Sequence, residues 1–172
     1  MLSASPSCEL NEVSYEVSRV IIQLYHKEAE AIAFCPYRIS SLDVHIDHQF
    51  GKINGLAIDK GIHFAYKAKP SGICELHPVN FSGKRAQFHV SSIPKSKQGY
   101  WADHLSSAAL KLSENYKLKF GVAGVFDRSL PIGGLSFSTA VIIAFLSALC
   151  KVNDIHPGDW ELIMMAKAVE NQ

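Results

Sequence analysis

The sequence has a formal net charge of only +1, and it lacks closely spaced cysteines and a long apolar run. Its 17 Lys and Arg residues nearly balance 16 Asp and Glu residues, so composition gives no indication of a nucleic-acid or anionic-membrane partner. The 4 cysteines are scattered without a Cys-x-x-Cys pair, which disfavours a cysteine metal site. The longest strongly apolar run, residues 140–150, is too short to span a bilayer.

The composition that is present describes a core-forming globular chain. Of its 172 residues, 48% are hydrophobic and 19% are charged. The polar and acidic residues 1–17 are unlike a signal peptide, so we expect a reducing cytoplasm as the location. Residues 158–172, GDWELIMMAKAVENQ, predict a helix with no cap after it. We therefore expect the sequence to be a fragment of a longer protein.

The most informative stretch is LPIGGLSFSTAVIIAFLSALC, residues 130–150. Gly133 and Gly134 permit backbone conformations that a side chain forbids. Three small hydroxyl side chains follow, at Ser136, Ser138 and Thr139. The apolar helix pattern that begins here directs its unpaired N–H groups and the positive end of its dipole at the turn. The stretch therefore predicts a site that holds a polyphosphate without a basic cluster.

A second polar cluster occupies residues 40–51, SSLDVHIDHQFG. Asp43, His45 and Asp47 alternate along the chain, so in an extended conformation they would point to one face. The cluster is either a solvated loop or an edge that binds hydroxyl groups or a metal ion. A metal ion is the weaker interpretation, because no further ligand is clustered there.

The remaining periodicity predicts an α+β fold. Helices are expected over residues 11–34, 100–116 and 136–150 and in the C-terminal stretch, and strands over residues 33–39, 54–68, 72–78, 84–90 and 118–127. Within the second strand segment, Asp59-Lys60-Gly61 indicates a hairpin turn. Strands and helices do not alternate regularly, and no Lys follows the glycines, so neither a Rossmann fold nor a Walker A loop is indicated.

Three motifs, in this order and spacing, resemble the GHMP kinase superfamily and most closely its galactokinase branch. FCPYRISSLDVHIDHQFG is similar to the signature Ala-Pro-Gly-Arg-Val-Asn-Leu-Ile-Gly-Glu-His-Thr-Asp-Tyr-Asn-Gly-Gly, with Tyr37 in place of Gly and Val44 in place of Glu. LPIGGLSFSTA is inexactly similar to the phosphate loop Pro-x-Gly-x-Gly-Leu-Ser-Ser-Ser-Ala, and GYWADHLSSAALKL looks like the Trp-Ala-x-Tyr helix before that loop. The resemblance covers residue 32 to the end.

The resemblance implies a fold related to ribosomal protein S5 domain 2, with a mixed sheet and helices packed on one face. Residues 1–172 would form the N-terminal, nucleotide- and sugar-binding domain, and a C-terminal domain would be absent from this chain. Such a domain without its partner would expose apolar surface, so self-association of the fragment is expected. The catalytic base is expected beyond residue 172, which implies that the fragment alone is inactive.

The resemblance also implies roles for individual residues. Arg38 would activate the hydroxyl nucleophile and stabilise the transferred phosphoryl group, and His45 and Asp47, with Asp43 beside them, would bind the sugar. The loop would surround the triphosphate of ATP through Pro131, Gly133, Gly134, Leu135, Ser136, Ser138 and Thr139. Ser138 or Thr139 would contact Mg²⁺. Trp101 would contact adenine, although periodicity alone favours it as a core residue.

The implied function is ATP-dependent phosphorylation of a monosaccharide at its anomeric hydroxyl. The departures at Tyr37 and Val44 suggest a sugar other than galactose, such as a uronic acid, a deoxysugar or an amino sugar. A mevalonate- or homoserine-type kinase is an alternative that the His45 and Asp47 pair disfavours. A non-catalytic regulator that binds sugar or nucleotide is kept open by the altered loop around Ser136. An S5-like RNA-binding domain is disfavoured by the near-zero net charge.

Overall fold

The computed structural model describes residues 12–40, 54–80, 84–95, 99, 101–130 and 136–170. The described helices are α1 (Glu12–Tyr25), α2 (Ala102–Ser113), α3 (Phe137–Val152) and α4 (Asp159–Glu170). The described strands are β1 (Ala31–Ile39), β2 (Leu56–Lys69), β3 (Ile73–Pro78), β4 (Ala86–His89) and β5 (Gly121–Arg128). In these ranges no helix is both long enough and apolar enough to cross a membrane.

The strands form one mixed sheet in the order β1-β2-β5-β3-β4. The β1–β2, β2–β5 and β3–β4 pairs are antiparallel, and β3 runs parallel to β5. The strand β5 therefore lies at the centre, and every described residue of it except the last is buried. The α+β fold class and the mixed sheet predicted from the sequence are confirmed.

The two faces of the sheet carry separate apolar clusters, because successive side chains of a strand point to opposite faces. Phe64 and Phe126 stack on one face, with ring centroids 3.8 Å apart, in the main core that also includes residues of α2, α3 and α4. Ala65 and Val125 lie on the other face, where Val17 of α1 packs against them. The helices α2, α3 and α4 thus pack on one face of the sheet, and α1 covers the opposite face.

Two segments differ from the sequence-based expectation. The helix predicted for residues 11–34 ends at Tyr25, and Ala31 already pairs with Tyr66 in the sheet. The hairpin expected around Gly61 is absent from the described residues, since β2 continues through it as one 14-residue strand. A Cβ on Gly61 would lie 2.1 Å from the Cys35 carbonyl oxygen. The glycine therefore serves a close approach between strands, next to the register shift in β1.

Candidate functional site

A cleft of about 450 Å³ opens where β1 meets the first turns of α3. Its lining residues come from three separate segments and are Cys35, Pro36, Arg38, Ser136, Thr139, Ala140, Ile143 and Glu170. The first three belong to β1, the next four to the start of α3, and Glu170 ends α4. Packing of α3 against β1 and β2 brings these segments to one concave surface.

The start of α3 contributes the N-terminal end of a helix to the cleft. Ser136 precedes the helix in the left-handed conformation, with φ 58° and ψ 43°, and its side chain makes no capping hydrogen bond. Its carbonyl oxygen accepts the Ala140 N–H at 3.1 Å, which sets the first turn. Geometry leaves the first N–H groups of a helix without acceptors in that helix, and its dipole adds a partial positive charge there. A negatively charged group is therefore stabilised at this end of the cleft, and in the structure that group is the Glu170 carboxylate.

The side chain of Glu170 joins the ends of two helices inside the cleft. The Ser138 hydroxyl donates to Glu170 Oε1 at 2.5 Å. The Thr139 hydroxyl donates to Oε1 and Oε2 of the same carboxylate at 2.6 and 2.7 Å. Two hydroxyls thus lie within hydrogen-bond distance of one carboxylate.

These oxygens form a donor set that fits Mg²⁺, which takes hard oxygen ligands from one or two carboxylates and completes its shell with phosphates and water. In the described part of the chain, no cluster of three His, Cys, Asp or Glu residues could hold a metal ion. Sequence reasoning selected Ser138 and Thr139 and missed Glu170. The Glu170 side chain reaches these two hydroxyls because α4 packs beside α3.

The structure brings some of the sequence-predicted residues together. Arg38, Ser136 and Thr139 line the same cleft, and Ser138 shares the Glu170 carboxylate with Thr139. The remaining loop and sugar-site candidates, Asp43, His45, Asp47, Pro131, Gly133, Gly134 and Leu135, lie outside the described residues. Their assigned roles stay predictions.

Trp101 is not among the residues that line the cleft. Its indole N–H donates to the Lys84 carbonyl oxygen at 3.0 Å, and its ring packs edge-on against Phe126 with centroids 5.9 Å apart. These contacts agree with the core interpretation from helical periodicity. Its contact with adenine stays a prediction.

The apolar wall of the cleft includes a thiol that is not ionised at neutral pH. Burial raises the pKa of Cys35 to about 11. Its side chain, with those of Ala140 and Ile143, therefore adds apolar surface to a lining that also includes the exposed Arg38. The cleft thus combines a cation, a helix N-terminus, a hard-oxygen cluster and an apolar wall.

No protein-family model matches the chain. Curated proteins do match it in sequence. The galacturonokinase of Arabidopsis thaliana is 29% identical over an alignment of 185 residues with its gaps, which covers 95% of this chain and 42% of that protein. The galactokinase of Clostridium perfringens strain 13 is 26% identical over 153 residues, which cover 87% of this chain and 40% of that protein. The chain thus spans about two fifths of the length of these relatives.

Solved structures share the fold. Lactococcus lactis galactokinase, complexed with galactose, superimposes with a TM-score of 0.80 at 18% identity, over 90% of this chain and 41% of that one. Methanococcus jannaschii mevalonate kinase gives a TM-score of 0.70 at 19% identity, over 82% of this chain and 46% of that one. The resemblance to GHMP kinases, and among them to galactokinase-type sugar kinases, is confirmed.

Proposed function

We propose that the complete protein containing this chain is an ATP-dependent sugar kinase that phosphorylates a monosaccharide at its anomeric hydroxyl. The proposal rests on the observation that Arg38, Ser136 and Thr139 line the same cleft. They come from segments about 100 residues apart in the sequence. The sequence similarity to proteins named galacturonokinase and galactokinase supports the same reaction class. Residues 1–172 would supply its nucleotide- and sugar-binding domain.

In this mechanism the chain binds ATP through the N-terminus of α3. The first N–H groups of the helix would hold phosphate oxygens, as other helix N-termini do. Ser138, Thr139 and Glu170 would hold Mg²⁺, which when bound neutralises charge on the phosphates. Arg38, which lines the same cleft, would stabilise negative charge on the transferred group. Phosphoryl transfer depends mostly on such positioning and charge neutralisation.

For the substrate we propose an acidic monosaccharide, a hexuronic acid, bound at the β1 side of the cleft. Asp43, His45 and Asp47 would accept and donate hydrogen bonds to the sugar hydroxyls. The departures Tyr37 and Val44 from the galactokinase signature argue for a sugar other than galactose. The similarity to a protein named galacturonokinase favours the uronic acid among the candidate sugars.

The complete protein would act in the cytoplasm, where ATP is available and thiols stay reduced. The free thiols of Cys35, Cys74 and Cys150 are all buried in the structure, which accords with a reducing compartment. The catalytic base would come from beyond residue 172, so residues 1–172 alone would have little or no activity.

The proposal is tested by incubating the complete protein with ATP, Mg²⁺ and a panel of hexoses and hexuronic acids, and by locating the phosphate by NMR. Phosphate on the anomeric oxygen is expected, together with a loss of turnover in Arg38→Ala. Arg85→Ala is the matched control, since Arg85 pairs with Glu75 outside the cleft lining. Phosphate on a primary hydroxyl would reject the anomeric assignment. Binding without turnover would favour the regulator.

A further inference from the structure

A chain of hydrogen bonds through the buried His63 joins α1, β2 and the residue that follows β5. The His63 side chain is 2% exposed. Its Nδ1 lies 2.8 Å from the hydroxyl of Ser14 on α1, and its Nε2 lies 3.0 Å from the hydroxyl of Ser129. Both ring nitrogens are thus paired, as buried polar groups in folded proteins usually are. His63 therefore connects α1 to the end of β5 through the interior of the protein.

Ser129 is the first residue beyond the paired part of β5. The last register pair between β2 and β5 joins Ile62 to Arg128. The Ser129 backbone N–H donates to the Gly61 carbonyl oxygen at 3.0 Å. The Ser129 hydroxyl donates to the same oxygen at 3.2 Å and accepts the Gly61 N–H at 3.4 Å. These bonds, together with the contact to His63, extend the attachment of the chain to β2 by one residue.

A single assignment of protons satisfies every bond of this chain. Burial, together with the positive charge of Lys60, lowers the pKa of His63 to about 4, so the ring is neutral at neutral pH. A neutral imidazole has one donor and one acceptor nitrogen. The Ser129 hydroxyl uses its one proton on the Gly61 carbonyl oxygen, so His63 Nε2 donates to that hydroxyl. His63 Nδ1 then accepts from the Ser14 hydroxyl.

Ser129 is connected to the lining of the cleft in two ways. Its partner Gly61 pairs with Pro36 of β1, and Pro36 lines the cleft. Along the chain, residues 130–135 separate Ser129 from Ser136, which also lines the cleft. One connection therefore runs through a strand pairing and the other through six residues of sequence.

Only the second connection depends on the hydrogen bond from His63. The strands β1 and β2 are held together by their own register from Ala31 to Ile39. The segment after Ser129 contains Pro131 and Gly133, which the sequence predicts to surround the triphosphate. Loss of the bond would free the start of this segment and leave β1 in place. Fixing a binding segment before the ligand arrives lowers the entropy cost of binding.

We infer that His63 is a positioning residue for the nucleotide, because through the Ser129 hydroxyl it fixes the start of the segment that leads to the N-terminus of α3. The inference rests on the proposed function and assigns part of the affinity for ATP to a residue that is not among those lining the cleft. Binding groups are held in place by such supporting hydrogen bonds.

The test compares Ser129→Ala with Ser129→Thr in the complete protein, by calorimetric titration with ATP and Mg²⁺ and, separately, with D-galacturonate and D-galactose. Ser129→Ala removes the acceptor of the His63 N–H, so the Kd for ATP should rise at least about fivefold, the effect of one lost hydrogen bond. The Kd for the sugar should stay within about twofold. Ser129→Thr keeps the hydroxyl and should restore the affinity for ATP.

Two further variants assign the effect to the bond itself. His63→Leu should weaken ATP binding as much as Ser129→Ala, and the double change should add nothing, because both remove the same interaction. Ser106→Ala is the matched control. It removes a buried hydroxyl on α2 that donates to the Asp103 carbonyl oxygen at 3.1 Å, and it should leave each Kd unchanged.

Amide hydrogen exchange provides a readout that is independent of ligands. The Ser129 N–H, which donates to Gly61, should exchange at least about fivefold faster in His63→Leu than in the unaltered protein, since its surroundings are then held less tightly. The Glu30 N–H donates to the Tyr66 carbonyl oxygen at 2.9 Å at the other end of β2. Its exchange should not change.

Three outcomes overturn the inference. Equal weakening of ATP and sugar binding, with faster exchange at both amides, would make the chain of hydrogen bonds purely structural. Faster exchange at Ser129 with an unchanged Kd for ATP would reject the positioning role and leave the sugar kinase intact. If the unaltered protein binds no ATP, the proposed function fails and the positioning role with it.

Discussion

The Thr139 hydroxyl donates to the carboxylate of Glu170 at 2.6 and 2.7 Å, which links the first turn of α3 to the last turn of α4. The contact draws a negative charge to a helix N-terminus, where it is stabilised by the dipole. The same carboxylate faces the cleft that contains Arg38. An ion or a phosphate that enters the cleft would therefore meet the negative charge of Glu170.

Glu170→Gln should lower the affinity of the complete protein for Mg²⁺ and its kcat. The amide keeps a hydrogen-bonding oxygen and loses the charge that a divalent ion requires, so kcat at limiting Mg²⁺ should fall at least about tenfold. Steady-state kinetics with titrated Mg²⁺ measures both effects.

Glu161→Gln on the same helix is the control for this variant, because Glu161 accepts from the Tyr116 hydroxyl at 3.0 Å and does not line the cleft. Equal Mg²⁺ dependence in Glu170→Gln and in the unaltered protein would contradict the metal assignment. In that case the carboxylate only joins α3 to α4.

Gly61→Ala should destabilise the protein and reduce its activity. The added Cβ would lie 2.1 Å from the Cys35 carbonyl oxygen and 2.8 Å from the Pro36 Cα, both backbone atoms that side-chain motion cannot relieve. The β1–β2 pairing must open at the strand that carries Arg38. We expect a loss of about 2 to 4 kcal/mol in the free energy of unfolding, within the range of overpacking and strain effects.

Gly158→Ala is the control for this prediction. A Cβ there meets nothing within 4 Å, so the loss should stay below about 1 kcal/mol, the scale of a changed helix start. Chemical denaturation measures both changes. A loss in Gly61→Ala no larger than that in Gly158→Ala would show that β1 and β2 are held together loosely.

Gly61 also shows where sequence reasoning about the fold stops. Asp59-Lys60-Gly61 is a typical hairpin signal, yet the residues continue one strand, because the requirement for glycine comes from the neighbouring β1 backbone. The face that α1 covers was equally hidden. The apolar stripe of α1, which contains Val17 and Ile21, is compatible with either face of the sheet, because the inner strands are apolar on both sides.

Part of the cleft lining could be predicted from the sequence, whereas the roles of the site residues stay predictions. A glycine turn followed by small hydroxyls and an apolar helix is a local pattern, and motif order linked it to Arg38. Glu170 had no local pattern. It reaches Thr139 only because α4 packs back along α3, and a sequence spacing of 31 residues carries no information about that contact.

The buried His63 should make the stability of the fold depend on pH. It is 2% exposed between the sheet and α1, with Nδ1 2.8 Å from the Ser14 hydroxyl and Nε2 3.0 Å from the Ser129 hydroxyl. Burial lowers its pKa from 6.5 to about 4. The neutral form is therefore favoured in the folded state, so the stabilisation is complete above pH 6.5 and is lost as pH falls through the folded pKa near 4.

The size of this effect follows from linkage. The unfolded chain binds more protons between these two pKa values, so the free energy of unfolding should fall by up to about 3 kcal/mol across that window. Chemical denaturation at pH 7, 5.5 and 4 measures it. His63→Gln should remove most of this dependence, whereas His156→Gln should not, since His156 lies exposed beside Asp154. Equal pH dependence in His63→Gln and in the unaltered chain would exclude His63 as its source.

Residues 1–172 expressed alone should self-associate through one face of α4. Trp160, Ile163 and Met164 have helical spacing and are 73%, 49% and 44% exposed, which leaves a cluster of large apolar side chains in water. The double change Trp160→Lys and Ile163→Lys should lower the apparent mass in light scattering while the melting temperature stays nearly constant, because neither side chain belongs to the buried core.

Leu56→Lys is the matched control, since Leu56 is 67% exposed at the start of β2 and its change should leave the mass unchanged. A strict monomer at high concentration before any change would refute the expected self-association. A reduction in mass by Leu56→Lys as large as that by the α4 double change would instead assign the association to general surface hydrophobicity.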